Sequence, residues 1–177
     1  MASKRAVGAA PAPSHVASSL VAPPLARRMA CWAYEGVLLF AVVFVAGWLF
    51  SALGQVRDAM DARRPLLQAF LFVVFAIYFA WFWSRGQTLA MKTWKIRVVD
   101  ASGRRLSQAR ALLRYLCSWS WFLPPLAVLA FVPVTPLHAT LVAGGWVVFW
   151  ALLSRLHPQR QFWHDALAGT RLVPEGT

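Results

Sequence analysis

Glu35 is the residue whose type and place in this chain most invite chemistry. It lies about one and a half helical turns into a long apolar stretch. A carboxylate there is costly, so such a group faces a partner or a water-filled path. Arg28 is seven positions earlier, two turns below on nearly the same helical face. Three readings follow. An Arg28–Glu35 ion pair would hold the helix end in register. A titratable Glu35 would exchange a proton for a cation. A shallow Glu35 would simply be wet. Asp165 stands next to His164 in a C-terminal segment with few acids. It can pair with Arg28, Arg114 or Arg171, or cap the short helix that follows. Pairing or capping is expected ahead of ion binding.

Other reactive side chains carry less. His157 and His164 are seven apart with Asp165 adjacent, but Pro158 interrupts the spacing. Metal sites usually gather three or four ligands, so no metal and no cofactor are expected. Cys31 and Cys117 form no CxxC pair and are read as small buried thiols. A disulfide is not expected on the reducing side of a membrane. No GxSxG, HExxH, phosphate-binding loop or dinucleotide fingerprint occurs. The expectation is therefore a protein that is not an enzyme.

The elements that position these residues are apolar and long. Of 177 residues 59% are hydrophobic, with ten Trp and twelve Phe, above the roughly 45–50% usual for soluble chains. About twenty residues at about 1.5 Å each cross a hydrocarbon core. Four stretches meet that need, near residues 30–54, 66–84, 112–132 and 139–156. Pro124 and Pro125 must break or kink the third. A re-entrant hairpin is the alternative there. The fourth is short, with Arg155 snorkelling at its end, and Gly144 and Gly145 allow close helix packing in it.

Between spans two and three the pattern changes. Trp94, Ile96 and Val98 alternate with Lys95 and Arg97, a strand period. Asp100 to Gly103 offers turn chemistry. A short hairpin or extended segment near the membrane surface is predicted. Ser107 is a plausible N-cap for an amphipathic helix, with Arg110 and Arg114 on one face and Leu112, Leu113 and Leu116 on the other. Near the C-terminus Phe162 and Trp163 suit an interface, and Gly169 ends a short helix. Residues 1–26 are rich in Ala, Pro and Ser and read as a disordered tail, not a signal peptide. Residues 174–177 read as a second tail.

Eighteen basic residues face six acidic ones, a net charge of +12. In so apolar a chain the anionic lipid headgroups of a membrane are the expected partner, ahead of nucleic acid. With four spans, fifteen Lys and Arg fall on the side holding both termini and three on the other. Both termini are therefore expected in the cytoplasm. The fold expected is an all-α membrane protein: four transmembrane helices and a short extended cytoplasmic segment between spans two and three.

Three stretches carry a family resemblance: ARRMACWAYEGVLLF, GQTLAMKTWKIRVVDASGRRLSQARALLRYL and FWHDALAGTRLV. Over about residues 25–173 the chain resembles the RDD family of small bacterial membrane proteins, named for an arginine and two aspartates. By position, the resemblance puts the arginine on Arg28, or Arg27, and the acids on Glu35 and Asp165. Glu35 stands where the family has Asp. Ala90 and Ala166 stand where Gly and Arg are common. The resemblance implies a multi-pass protein of the bacterial inner membrane. It also implies a transport role, including exchange of monovalent cations for protons. Four helices make a narrow bundle, so a homodimer is expected if a path must be enclosed. The alternative is a non-catalytic scaffold or accessory protein with a basic cytoplasmic face.

Overall fold

The computed structural model describes residues 21–54, 64–133 and 135–175. Most of the expected N-terminal tail and of the loop after the first span lies outside them, as does the end of the C-terminal tail. Helix α1 (Leu25–Gly54) starts directly after Pro23 and Pro24. That is five residues before the apolar stretch begins. Arginine is a good helix former, so Arg27 and Arg28 extend the helix beyond its apolar part. Helix α2 (Arg64–Ser84) follows, with Pro65 in its first turn, where a missing N–H costs nothing.

A short helix α3 (Leu89–Thr93) is capped by Thr88, whose hydroxyl accepts from the Met91 amide at 3.2 Å. Strand β1 (Ile96–Asp100) comes next. The turn after it is held by Asp100. One carboxylate oxygen accepts from the Ser102 amide at 2.9 Å, the Ser102 hydroxyl at 2.6 Å and the Arg104 amide at 2.9 Å. Gly103 takes φ +81°, the left-handed conformation that glycine adopts at no steric cost. Ser107 caps helix α4 (Gln108–Ser118) as expected, through the Arg110 amide.

A 3₁₀ turn (Trp119–Trp121) leads into helix α5 (Leu123–Phe131), with Pro124 and Pro125 at its start. The two parts are bent by 41°. The expected proline break is thus present. Helix α6 (Pro136–Leu153) runs into a 3₁₀ turn (Ser154–Leu156). Helix α7 (Trp163–Leu167) and strand β2 (Thr170–Pro174) close the described chain, with Gly169 at φ +63° between them.

The extended segment does not form a local hairpin. β1 pairs antiparallel with β2, from Ile96 opposite Pro174 to Asp100 opposite Thr170. The physical reason lies in burial. Val98, Val99, Leu172 and Val173 are all buried, and a strand covered on both faces needs a partner that is itself apolar. The polar residues after Asp100 cannot supply one. The buried Gln161 acts as a third rung. Its amide donates to the Leu172 carbonyl and accepts from the Leu172 amide, both at 3.0 Å.

The long helices are apolar outside rather than inside. Val37, Phe40 and Phe44 of α1 are about two-thirds exposed or more. In water that surface would be untenable; in lipid it is the expected outer face. Three helices are long and apolar enough to cross a membrane, and the bent pair α4–α5 raises that to as many as four. The buried cluster gathers at one end of the bundle, where Trp83, Met91, Ile96, Tyr115, Trp121, Phe162 and Leu172 meet. The strand pair and the short helices are packed there.

Candidate functional site: a carboxylate-lined cavity at one end of the bundle

The amphipathic helix α4 decides the site. The leucine face read from the sequence is present, but the two arginines part: Arg110 stays exposed near Asp100 at 3.7 Å, and Arg114 is buried. Leu112, Leu113 and Leu116 are exposed, while Ala111, Arg114 and Tyr115 are buried. A charge in the interior needs a partner there. Arg114 enters the core with its guanidinium 4.0 Å above the Trp83 ring.

Asp165 meets it there. Arg114 donates to one Asp165 oxygen from Nε at 2.8 Å and from Nη2 at 2.7 Å. His164 Nε2 approaches the same oxygen at 3.2 Å. The tautomer follows from a third partner. Trp121 Nε1 can only donate, and it donates to His164 Nδ1 at 2.7 Å. The ring proton must then sit on Nε2, facing Asp165. Asp165 is fully buried, and burial alone would raise its pKa. The Arg114 charge and His164 outweigh that and hold the carboxyl at about 2. Of the alternatives for Asp165, pairing with Arg114 is the one present. The cap position of α7 is Phe162, with Asp165 inside the first turn.

Glu35 has a different environment. Tyr78 of α2 donates its hydroxyl to Oε1 at 2.8 Å. Thr88 donates to Oε2 through a short contact. Both oxygens are thus held by neutral hydroxyls, which tie α1 to α2 and to the cap of α3. No Arg28–Glu35 ion pair is present among the described residues. Arg28 turns its guanidinium over the Phe162 ring, 4.3 Å from the centroid. Its Nε and Nη1 are buried without a hydrogen-bond partner among the described residues, as is Asp165 Oδ2. The Arg28 guanidinium thus lies over Phe162 and not in an ion pair with Glu35.

A cavity of about 530 Å³ connects these groups. Arg28, Glu35, Arg114 and His164 line it, among Trp32, Phe79, Trp83 and Trp121. Asp165 lies behind Arg114 and does not reach the wall. Of the three residues read from the sequence, Arg28 and Glu35 thus face one space and Asp165 supports it from behind. Sequence reasoning placed Arg114 only among several candidate partners, and it missed Tyr78, Thr88 and Trp121. A lone tyrosine in a span otherwise made mostly of aliphatic, Phe and Trp side chains was the available signal for Tyr78. Thr88 carried the signal of a cap residue. Trp121 carried none.

Cys31 is buried at the cavity wall, and Cys117 is half-buried; both are free. His157 stacks edge-on against Trp163 at 5.6 Å, apart from the site. Among the described residues no group of three or more His, Cys, Asp or Glu could hold a metal ion.

No solved structure matches this chain. A curated relative is the Solute carrier family 49 member 4 homolog of Xenopus tropicalis, 32% identical over 117 residues. The match covers 59% of this chain and 24% of that protein, so the chain spans about a quarter of its relative's length. The stretches that carry Arg28, Glu35, Arg114 and Asp165 lie inside the match of the family model described as RDD family, which runs over residues 22–169. By that match the chain belongs to the RDD family, as a membrane protein with apolar spanning helices.

Proposed function

We propose that this protein is a transporter, or a subunit of one, that exchanges a monovalent cation for a proton at Glu35. One observation carries the reading. Asp165 is taken up by an ion pair, whereas among the described residues Glu35 is hydrogen-bonded only by the hydroxyls of Tyr78 and Thr88. A hydroxyl can donate or accept. Ionised Glu35 accepts from both. Protonated Glu35 donates to one of them, and that hydroxyl turns. The carboxylate can therefore change charge without stranding a buried partner. The ionised form, with the two hydroxyl oxygens beside it, is the oxygen-rich environment that a small hard cation requires. Proton and cation compete for one charge, which is the minimum an exchanger needs. The relative's name, a solute carrier homolog, agrees with transport.

The reading places the bent α4–α5 pair across the membrane, giving four spans in the bacterial inner membrane. Both termini and the strand pair then lie in the cytoplasm, on the side with fifteen of the eighteen basic residues. Anionic lipid headgroups face that side, and a homodimer encloses the path. No catalysis is assigned to it. The second reading, a membrane scaffold, draws support from the buried Arg114–Asp165 pair, which in that reading holds α4 to α7.

Proton flux in everted vesicles tests the choice. A pH-sensitive dye reports while Na⁺, Li⁺ or K⁺ is added, with wild type and Glu35→Gln at matched abundance. A cation-dependent pH change present only in wild type is expected. No change in wild type would sink the exchange reading and leave the scaffold.

A further inference from the structure

A second cavity, of about 720 Å³, opens at the N-terminal end of α1. Its wall combines Pro24 and Leu25 with the turn at 158–160 and one residue of β2. Four of its lining residues are arginines, Arg28, Arg155, Arg160 and Arg171, and none is acidic. Arg28 is only 4% exposed, with two guanidinium nitrogens unpartnered among the described residues. Asp165, on the neighbouring helix α7, is already bonded by Arg114 through one oxygen. Positive charge is thus concentrated on this wall, which no carboxylate lines among the described residues.

The helix adds to it. The first amide of α1 to find a partner one turn back is that of Arg28, which donates to the Pro24 carbonyl at 3.2 Å. The amides before it are the orphan donors of a helix start. Those donors and the positive end of the helix dipole favour an anion, and the first turn holds no acid. Arg160 has φ +53°, a left-handed conformation that non-glycine residues rarely take. Its amide donates to the His157 carbonyl at 2.8 Å, fixing the turn at the cavity rim.

We infer that this cavity binds a phosphate group. Guanidinium forks match phosphate oxygens in pairs, and several arginines suit an anion with more than two oxygens. The group can come from a phospholipid headgroup or from free phosphate. The inference stands apart from the Glu35 reading, because it concerns binding and not flux.

The test uses the full-length protein purified in a maltoside detergent. Melting is followed as inorganic phosphate replaces chloride at matched ionic strength. It is also followed in nanodiscs of phosphatidylcholine with and without phosphatidylglycerol. Wild type is compared with Arg155→Gln/Arg160→Gln, both exposed positions, and with Arg97→Gln/Arg105→Gln, which lie outside the cavity. A saturable stabilisation by phosphate assigns a free anion, and one by phosphatidylglycerol alone assigns a headgroup. Either should weaken about tenfold or more in the cavity variant and persist in the control. Native mass spectrometry of wild type reads the bound species directly and needs no variant. No response to either probe, or an equal loss in both variants, would overturn the inference.

Discussion

At Asp165 the carboxylate and the Arg114 guanidinium are both almost fully buried, and each is the other's main compensation. Replacing Asp165 by Asn leaves the Arg114 charge buried without its counterion. A loss of about 3–5 kcal/mol is expected, read as a lower melting temperature in detergent. The same pair sets a pH dependence. Its folded carboxyl sits at about 2, below the ordinary value of 3.8. A depressed carboxyl stabilises the fold above its ordinary value and loses that contribution as pH falls toward its folded value. Melting of wild type should therefore drop between about pH 4 and about pH 2. Asp100 is also held at about 2, first by its Ser102 hydrogen bond, so it titrates in the same window. The difference between wild type and Asp165→Asn isolates the Asp165 share. An identical profile in the two proteins would show that the pair does not act as described.

The strand pair is the element that brings distant parts of the chain together. β2 holds the C-terminal segment against β1, and α7 with Asp165 sits between α4 and that strand. Leu172 is 5% exposed, belongs to the buried cluster, and also lines the Glu35 cavity. Leu172→Ala should cost about 2–5 kcal/mol and loosen Arg114–Asp165 with it. Its melting temperature should fall. Leu116→Ala, on the exposed face of α4, should leave it within about 0.5 kcal/mol in detergent. Comparable losses in the two variants would mean that α4 does not turn its leucines outward.

At the scale of the whole molecule the open choice concerns α4 and α5. Four spans put the stretch between α5 and α6 on the outer side of the membrane. A re-entrant pair keeps it on the cytoplasmic side. Thr135, the exposed N-cap of α6, marks that stretch. With Cys31 and Cys117 replaced by Ser, Thr135→Cys should react with a membrane-impermeant maleimide in intact cells with a permeabilised outer membrane. Labelling only in everted vesicles would keep that stretch on the cytoplasmic side, and because β1 pairs with β2 neither α4–α5 nor α6 would then cross.

Hydropathy and length alone identify the apolar helices, because lipid imposes one solvent along the whole span. Pro124 and Pro125 locate the bend, since a proline's missing N–H is a local fact. The Ser107 cap and the Gly169 turn are local in the same way. The charge count is likewise read from the sequence, as an expectation for the side of the basic segments. Tertiary structure alone decides the partners. Arg28 lies on the same helix face as Glu35, yet it stacks on Phe162, 134 residues further along the chain. Arg114 takes Asp165 from several eligible arginines, because burial of β2 fixes α7 beside α4. Glu35 keeps hydroxyl partners from two other elements. Spacing along one helix sets which side chains share a face. Which of them meet a partner depends on how the other elements pack against it, and that packing is a long-range property.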